Sequence, residues 1–160
     1  MPRENITNYS DEDREHNIKG EISPTQRRTL QRHLRAYIQR MIIFGVAALL
    51  LLAPAVADAY LRQNSLGLVV ALLLVGMMSV FVYNSAVLPH RQLRFDLRQN
   101  YAEEVQGHVQ RRRVGLMYYA RFGDKEFRIS QQIYRLLRET YFYRVYFTPN
   151  ANIILAMDEI

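Results

Sequence analysis

The sequence predicts a membrane α plus small β fold class, in which a two-helix transmembrane hairpin precedes a small β domain. Two apolar runs, residues 41–57 and 66–88, contain no charged side chain. All 21 Lys and Arg residues lie outside these runs. The last third of the chain alternates apolar and polar residues, as strands do. These observations divide the chain into an anchor and a soluble part.

Both apolar runs are long enough to cross a bilayer. At about 1.5 Å per residue, helices over 41–57 and 66–88 extend about 26 Å and about 34 Å, against a hydrocarbon core about 30 Å thick. We therefore predict transmembrane helix 1 over residues 41–60 and transmembrane helix 2 over residues 66–88. Buried helices of a soluble protein would show polar faces, which these runs lack.

A cleaved signal peptide is the second alternative to a membrane span. The first run ends on Ala55-Val56-Ala57, a small-residue pattern typical of cleavage sites. A signal peptide begins within the first few residues of a chain, whereas residues 1–40 precede this run and a second apolar run follows it. We therefore expect an uncleaved span.

The charges beside the spans predict their orientation. The connecting residues, 58–65, carry one Asp and one Arg and are electrically neutral. Arginines flank the spans on their other ends, at Arg27, Arg28, Arg32, Arg35 and Arg40 before the first and at Arg91, Arg94 and Arg98 after the second. Because positive charge is retained on the cytoplasmic side, we expect a two-pass protein of the cell (inner) membrane with both termini cytoplasmic.

The segment in front of the spans has two parts. Residues 1–22 are polar and of mixed charge, which predicts a disordered tail. Residues 23–40 are predicted to form a basic amphipathic helix that leads into the first span. Its start is marked by Ser23 as N-cap, Pro24 at the first helical position and Gln26 at the capping-box position.

Behind the spans, residues 89–104 are predicted to be a juxtamembrane helical connector, and residues 105–160 a small β-barrel domain. The expected element order is β-β-β-α-β-β. Gly123-Asp124 separates two strand-like runs and indicates a two-residue hairpin. Ser130 is placed to cap a short helix, and residues 141–148 and 153–157 read as the last two strands.

Three strands, one helix and two strands is the order of the OB fold, so a five-stranded OB-like barrel is expected. The region resembles the soluble barrel of NfeD-type membrane proteins, and an uncharacterised two-span membrane family is the alternative. The likeness is carried by Gly107, Val109, Phe122, Gly123, Asp124, Phe127, Ile129, Tyr143, Val145, Asn152, Ile153 and Leu155. The resemblance implies a membrane-tethered interaction module and not an enzyme.

Residues that carry chemistry are sparse. The chain has no cysteine, which excludes disulfides and thiol catalysis. His16, His33, His90 and His108 share no metal-ligand spacing. No charged residue lies inside either apolar run, which argues against an ion or proton pathway. We therefore predict no catalytic residue, no metal site and no cofactor.

A basic, aromatic surface of the β domain is the predicted binding site. Its members come from two segments and are Arg111, Arg112, Arg113, Phe142, Arg144 and Tyr146. Alternation places Tyr143, Val145 and Phe147 on the core face of the penultimate strand, and Phe142, Arg144 and Tyr146 on the other. The expected partners are the lipid bilayer and a protein partner or a second copy of the chain. Binding of anionic lipid or nucleic acid is the alternative, with nucleic acid disfavoured because anionic lipid accounts for the same arginines.

Overall fold

The computed structural model describes residues 9–62 and 65–160, which fold into two compact units. One unit is Gln31–Arg94 and contains most of two long apolar helices. The other joins the described part of Met1–Leu30 to Phe95–Ile160 and contains a five-stranded antiparallel sheet. Apolar helices followed by such a sheet are what the sequence predicts.

The described helices and strands follow the chain in the predicted order, with one additional helix at the front. The helices are α1 (Asp11–Ile18), α2 (Pro24–Leu61), α3 (Ser65–Val82), a π-helical turn (Tyr83–Val87), α4 (Leu88–Gln99) and α5 (Gln131–Leu136). The strands are β1 (Glu103–Val114), β2 (Met117–Phe122), β3 (Lys125–Ile129), β4 (Phe142–Phe147) and β5 (Ile154–Glu159).

Helix α2 merges the predicted amphipathic helix and the first apolar run into one helix of 38 residues. Its predicted capping box is confirmed, because the Gln26 amide donates to Ser23 Oγ at 3.1 Å and the Ser23 amide donates to Gln26 Oε1 at 3.2 Å. Within the unit Gln31–Arg94, Phe44 of α2 meets Phe81 of α3 edge to face, with ring centroids 5.6 Å apart.

The second apolar helix continues without a break into α4 through the π-helical turn. Pro89 follows this turn and has no backbone N–H, so the carbonyl one turn earlier would lose its partner in a regular α-helix. The helix widens just before the proline: the Leu88 backbone amide donates to the Tyr83 carbonyl, five residues back, rather than to the Asn84 carbonyl that a regular α-helix would use. The helical connector predicted over residues 89–104 is shorter in the structure. It ends at Gln99, and Asn100, with a φ of 53°, lies outside the helix.

The disordered tail predicted for residues 1–22 is wrong for its described part. Residues 11–18 form α1, which starts with a capping box between Ser10 and Asp13. Asp13 and Asn17 are buried, so this helix buries polar rather than apolar side chains. The spacing of apolar residues in the sequence therefore does not predict α1. The other part of that prediction, residues 1–8, lies outside the described residues.

The strand order in the sheet is β3-β2-β1-β4-β5, with every pairing antiparallel. The long strand β1 pairs with two neighbours in turn: residues 103–108 pair with β4 and residues 109–114 pair with β2. Gly107 lies where these halves meet, and a Cβ there would stand 3.0 Å from the Gly123 nitrogen. The missing side chain lets the β2–β3 turn lie directly against β1.

One hydrophobic core is shared by both halves of the sheet. Phe127 of β3 packs edge to face on Phe147 of β4 at 5.0 Å between ring centroids, and Phe122 of β2 packs on Tyr143 of β4 at 5.8 Å. The buried core residues are Val109, Ala120, Phe122, Phe127, Ile129, Leu137, Tyr143, Val145, Phe147 and Met157. The predicted core face of β4 is thereby confirmed.

Candidate functional site

The arginine run of β1 lies on the half of the strand that pairs with β2. Arg112 stands opposite Tyr119, and Arg113 stands opposite Tyr118. Because side chains alternate along a strand, Arg112 is on the outer face of the sheet, while Arg111 and Arg113 share the core face near its open end. The three predicted site residues of this run are therefore divided between two faces.

Each arginine of the run stacks its guanidinium on a tyrosine of the same unit. The distances from Cζ to the ring centroid are 5.5 Å for Arg112 on Tyr119 and 5.5 Å for Arg113 on Tyr118. Arg111 stacks on Tyr134 of α5 at 5.3 Å. Such cation–π contacts hold the long side chains in place. They also cover tyrosine faces on which a nucleobase would otherwise stack.

Ion pairs neutralise part of this charge. Arg111 Nε lies 3.3 Å from Glu139 Oε1, and Arg112 Nη2 lies 3.1 Å from Glu126 Oε1. Arg113 donates from Nε to the Gly115 carbonyl at 2.9 Å, an acceptor that carries no full charge. The run therefore keeps net positive charge next to the β1–β2 turn.

The sequence prediction missed two further arginines on the same outer face. Arg128 stands opposite Tyr119 from the β3 side, and Arg121 lies two residues along β2 from that tyrosine. We call Arg112, Arg121 and Arg128, grouped around Tyr119, the arginine cluster. Arg121 and Arg128 are exposed. The signal that could have found them is the strand alternation of β2 and β3, read together with the Gly123-Asp124 hairpin register.

The second group of predicted site residues, on β4, is only partly exposed at the surface. Phe142 is 37% exposed and meets His108 edge to face at 5.2 Å between ring centroids. Arg144 Nε lies 3.3 Å from Glu104 Oε1. Tyr146 is 1% exposed, so its prediction as a binding-surface residue is wrong. Burial raises the pKa of its hydroxyl.

The N-terminal segment packs on the face of the sheet that holds Tyr146. Asp158, which pairs with Arg144 in register, lies on that face. The Tyr9 hydroxyl donates to Asp158 Oδ1, and Arg14 Nε lies 3.2 Å from Asp158 Oδ2. We call residues 9–23, which pack against β5, the N-terminal cover.

The N-terminal cover is held by buried polar contacts. The Ser23 hydroxyl donates to Asp13 Oδ1, and the Ser10 backbone amide donates to Asp13 Oδ2 at 3.0 Å. Burial alone would raise the pKa of the Asp13 carboxyl, but these hydrogen bonds outweigh it and hold that pKa below its ordinary value. Burial, with the hydrogen bond to Asp158, raises the pKa of the Tyr9 hydroxyl well above its usual range.

The structure does not bring the two predicted groups together. Arg144 stands opposite Gln106 of β1, and Arg112 lies six residues farther along the same strand. At about 3.3 Å per residue, they are roughly 20 Å apart along the strand. His108 and Gln110 lie between them on the outer face. The arrangement is an extended surface, apolar at Phe142 and basic at the arginine cluster.

Among residues 9–62 and 65–160, no three His, Asp or Glu side chains form a group that could hold a metal ion. Comparison with protein-family models, with curated proteins and with solved structures finds no match.

Proposed function

We propose that this chain is a non-enzymatic integral membrane protein whose two-helix anchor presents the β domain on the cytoplasmic side as a protein-interaction module. The observation that carries the proposal is the joining of residues 9–30 and Phe95–Ile160 in one unit, with two long apolar helices between them in sequence. A large apolar surface and a separately folded polar domain are typical of a tethered module.

The apolar helices support the anchor. Pro24–Asp58 and Val69–Gln99 are long and apolar enough to cross a membrane. None of the apolar window of the first, and 11% of that of the second, is buried. Core helices of a soluble protein would bury this surface, because leaving it in water costs about 25 cal/mol per Å². A bilayer removes that cost.

The N-terminal cover supports the orientation. Tyr9 and Arg14 contact Asp158 in the last strand, so the segment before the first apolar helix and the domain after the second lie on the same side of any membrane. This requires an even number of crossings, which two spans provide. The arginines that flank both spans then favour the cytoplasmic side.

The shared core supports an OB-like barrel, as in the soluble domain of the NfeD-type proteins that the sequence resembles. β1 changes partner at its midpoint, and the rings of β3 and β4 meet across the core. A partly open barrel with β3 and β5 at its two edges accounts for these contacts.

The part of the outer face that the N-terminal cover leaves free is the proposed partner surface. Phe142 is 37% exposed and Ile160, whose amide donates to the Phe142 carbonyl at 2.9 Å, is 44% exposed. The arginine cluster continues this surface on the other side of His108. Exposed aromatic and arginine side chains together are the residues that most often dominate protein interfaces.

Site-specific photocrosslinking tests this surface. A photoreactive amino acid in place of Phe142 should yield an adduct with a second protein or a second copy of this chain, identified by mass spectrometry, in membranes that contain the full chain. The matched control is Gln132, which is also exposed but lies on α5. Adducts at both positions, or at neither, would contradict a partner surface at Phe142.

The alternative is binding of an anionic lipid or nucleic acid by the basic, aromatic β domain, and the arginine cluster favours it. The stacked tyrosines favour lipid over nucleic acid, since Tyr118, Tyr119 and Tyr134 each have a guanidinium over the ring. Base stacking would have to displace those arginines. Salt-dependent binding of an oligonucleotide to the full chain in neutral detergent would favour the nucleic-acid form.

A further inference from the structure

The β1–β2 hairpin ends in an exposed apolar tip. Leu116 is 89% exposed, with Val114 at 46% and Met117 at 39% on either side of the turn. β1 and β2 remain paired as far as Val114 and Met117, so the strands hold the tip in place. Gly115, with a φ of 58°, supplies the turn conformation. The fold requires no leucine at the turn position that Leu116 occupies.

The neighbouring hairpin shows what the turn alone requires. β2 and β3 are joined by Gly123-Asp124, where Gly123 has a φ of 57° and Asp124 is exposed. A polar residue after the glycine is the ordinary choice for a solvated turn. The two turns lie in the same sheet and both begin with a glycine at positive φ, but Leu116 stands where Asp124 does. Exposure of a leucine at this position points to an apolar environment outside the chain.

Directly behind the apolar tip lies a collar of arginine and tyrosine. Arg112 with Tyr119 and Arg113 with Tyr118 form the first two cross-strand pairs next to Val114 and Met117. Arg128 flanks Tyr119 on its other side. Arg112 uses one nitrogen on Glu126 and Arg113 uses one on the Gly115 carbonyl. Because a guanidinium has five N–H donors, each arginine has further donors with which to bind a phosphate. Tyrosine is favoured at the level of lipid headgroups, because its ring is apolar and its hydroxyl is polar.

We propose that the β1–β2 hairpin docks on the anionic leaflet of the membrane that holds the chain, with Leu116 inserted at the acyl boundary and Arg112 and Arg113 on the lipid phosphates. The inference rests on the proposed membrane anchor, which keeps the domain close to the leaflet and makes docking an intramolecular event. Charge complementarity selects the occupant: anionic lipid attracts the collar and hydrocarbon accepts the tip. A nucleic acid would leave Leu116 in water.

Tryptophan scanning of the full chain in lipid vesicles tests this docking, because the chain contains no tryptophan of its own. Each variant then carries a single emitter. In vesicles of phosphatidylcholine with phosphatidylserine, Leu116→Trp should emit at shorter wavelength and be quenched by brominated lipid. In vesicles of phosphatidylcholine alone, both effects should be lost. Asp124→Trp is the matched control at the other hairpin and should be insensitive to lipid.

Two further variants keep the outcomes distinct. Leu73→Trp reports on the anchor, since Leu73 is an exposed residue of α3. If bromolipid quenches neither Leu73→Trp nor Leu116→Trp, the anchor itself is wrong. If it quenches Leu73→Trp but not Leu116→Trp, the anchor stands and the docking is overturned. Equal quenching of Leu116→Trp and Asp124→Trp would also overturn it.

The charge of the collar is tested separately. Adding Arg112→Gln and Arg113→Gln to Leu116→Trp should lower the docked-to-undocked ratio in anionic vesicles about 30-fold, because two arginines at about 1 kcal/mol each near the surface contribute about 2 kcal/mol. Raising the salt concentration should also reduce the quenching of Leu116→Trp by brominated lipid in anionic vesicles. Quenching unchanged by both treatments would overturn the role of the arginines.

Discussion

Arg14 of α1 forms an ion pair with Asp158 of β5, with Nε and Oδ2 3.2 Å apart. The side chain of Asp158 is 5% exposed and that of Arg14 is 27% exposed, so the pair is largely shielded from water. It joins two segments that are separated in sequence by both apolar helices. The fold of the unit that contains the sheet therefore depends on residues from both of its segments, one before and one after the apolar helices.

Removing this contact is expected to destabilise the unit that contains the sheet. Asp158→Ala removes the acceptor that Arg14 and the Tyr9 hydroxyl share, and the loss of such a buried polar contact costs about 1–3 kcal/mol. Denaturant unfolding of the full chain in detergent measures the loss. Glu126→Ala is the control, because it breaks the exposed pair with Arg112, with side chains 61% and 40% exposed, which contributes at most about 1 kcal/mol. A loss for Glu126→Ala as large as that for Asp158→Ala would contradict the role of the N-terminal cover.

The N-terminal cover should loosen in acid. The folded-state pKa of Asp13 lies below its ordinary value, so the carboxylate contributes stability above the ordinary pKa, and this contribution is lost as the pH falls through the folded-state value. Hydrogen exchange of residues 10–26 should therefore accelerate between about pH 5 and about pH 3, after correction for the intrinsic rate. Asp13→Asn should remove most of this pH dependence. An identical acid profile in wild type and Asp13→Asn would count against the assignment.

Phe147 and Arg144 lie on opposite faces of the same strand and should respond differently to truncation. Phe147 is 1% exposed and packs on Phe127, so Phe147→Ala should cost about 3–5 kcal/mol through lost burial and a cavity. Arg144 is 28% exposed and pairs with Glu104, so Arg144→Ala should cost about 1 kcal/mol. Circular dichroism during thermal unfolding compares the two. If Phe147→Ala is more stable than Arg144→Ala, the register described for β4 is wrong.

The elements with local signals were predictable from sequence. The hairpin at Gly123-Asp124, the cap at Ser130 and the capping box at Ser23 each depend on residue types at fixed spacing, and all three are confirmed. The core face of β4 followed from alternation alone. Such features need only neighbouring residues, so one sequence contains enough information to find them.

The features that were missed depend on contacts distant in sequence. β1 extends to Val114 because β2 pairs with Arg111, Arg112 and Arg113, which have no apolar alternation of their own. Helix α1 is fixed by Asp158 and Ser23 rather than by an apolar stripe. Tyr146 was assigned to the surface because alternation distinguishes two faces of a strand but does not tell what covers each. Phe142 and the arginine run therefore stay a predicted binding surface, whereas Tyr146 is buried.

The central claim is that two spans hold both soluble segments on the cytoplasmic face, and cysteine accessibility tests it most directly. The chain has no cysteine, so Lys19→Cys, Arg62→Cys and Asp124→Cys each introduce a single label site at an exposed residue. In intact cells, a membrane-impermeant maleimide should label Arg62→Cys alone, and after permeabilisation it should label all three. Labelling of Lys19→Cys and Asp124→Cys on opposite sides, or of either one in intact cells, would contradict the account.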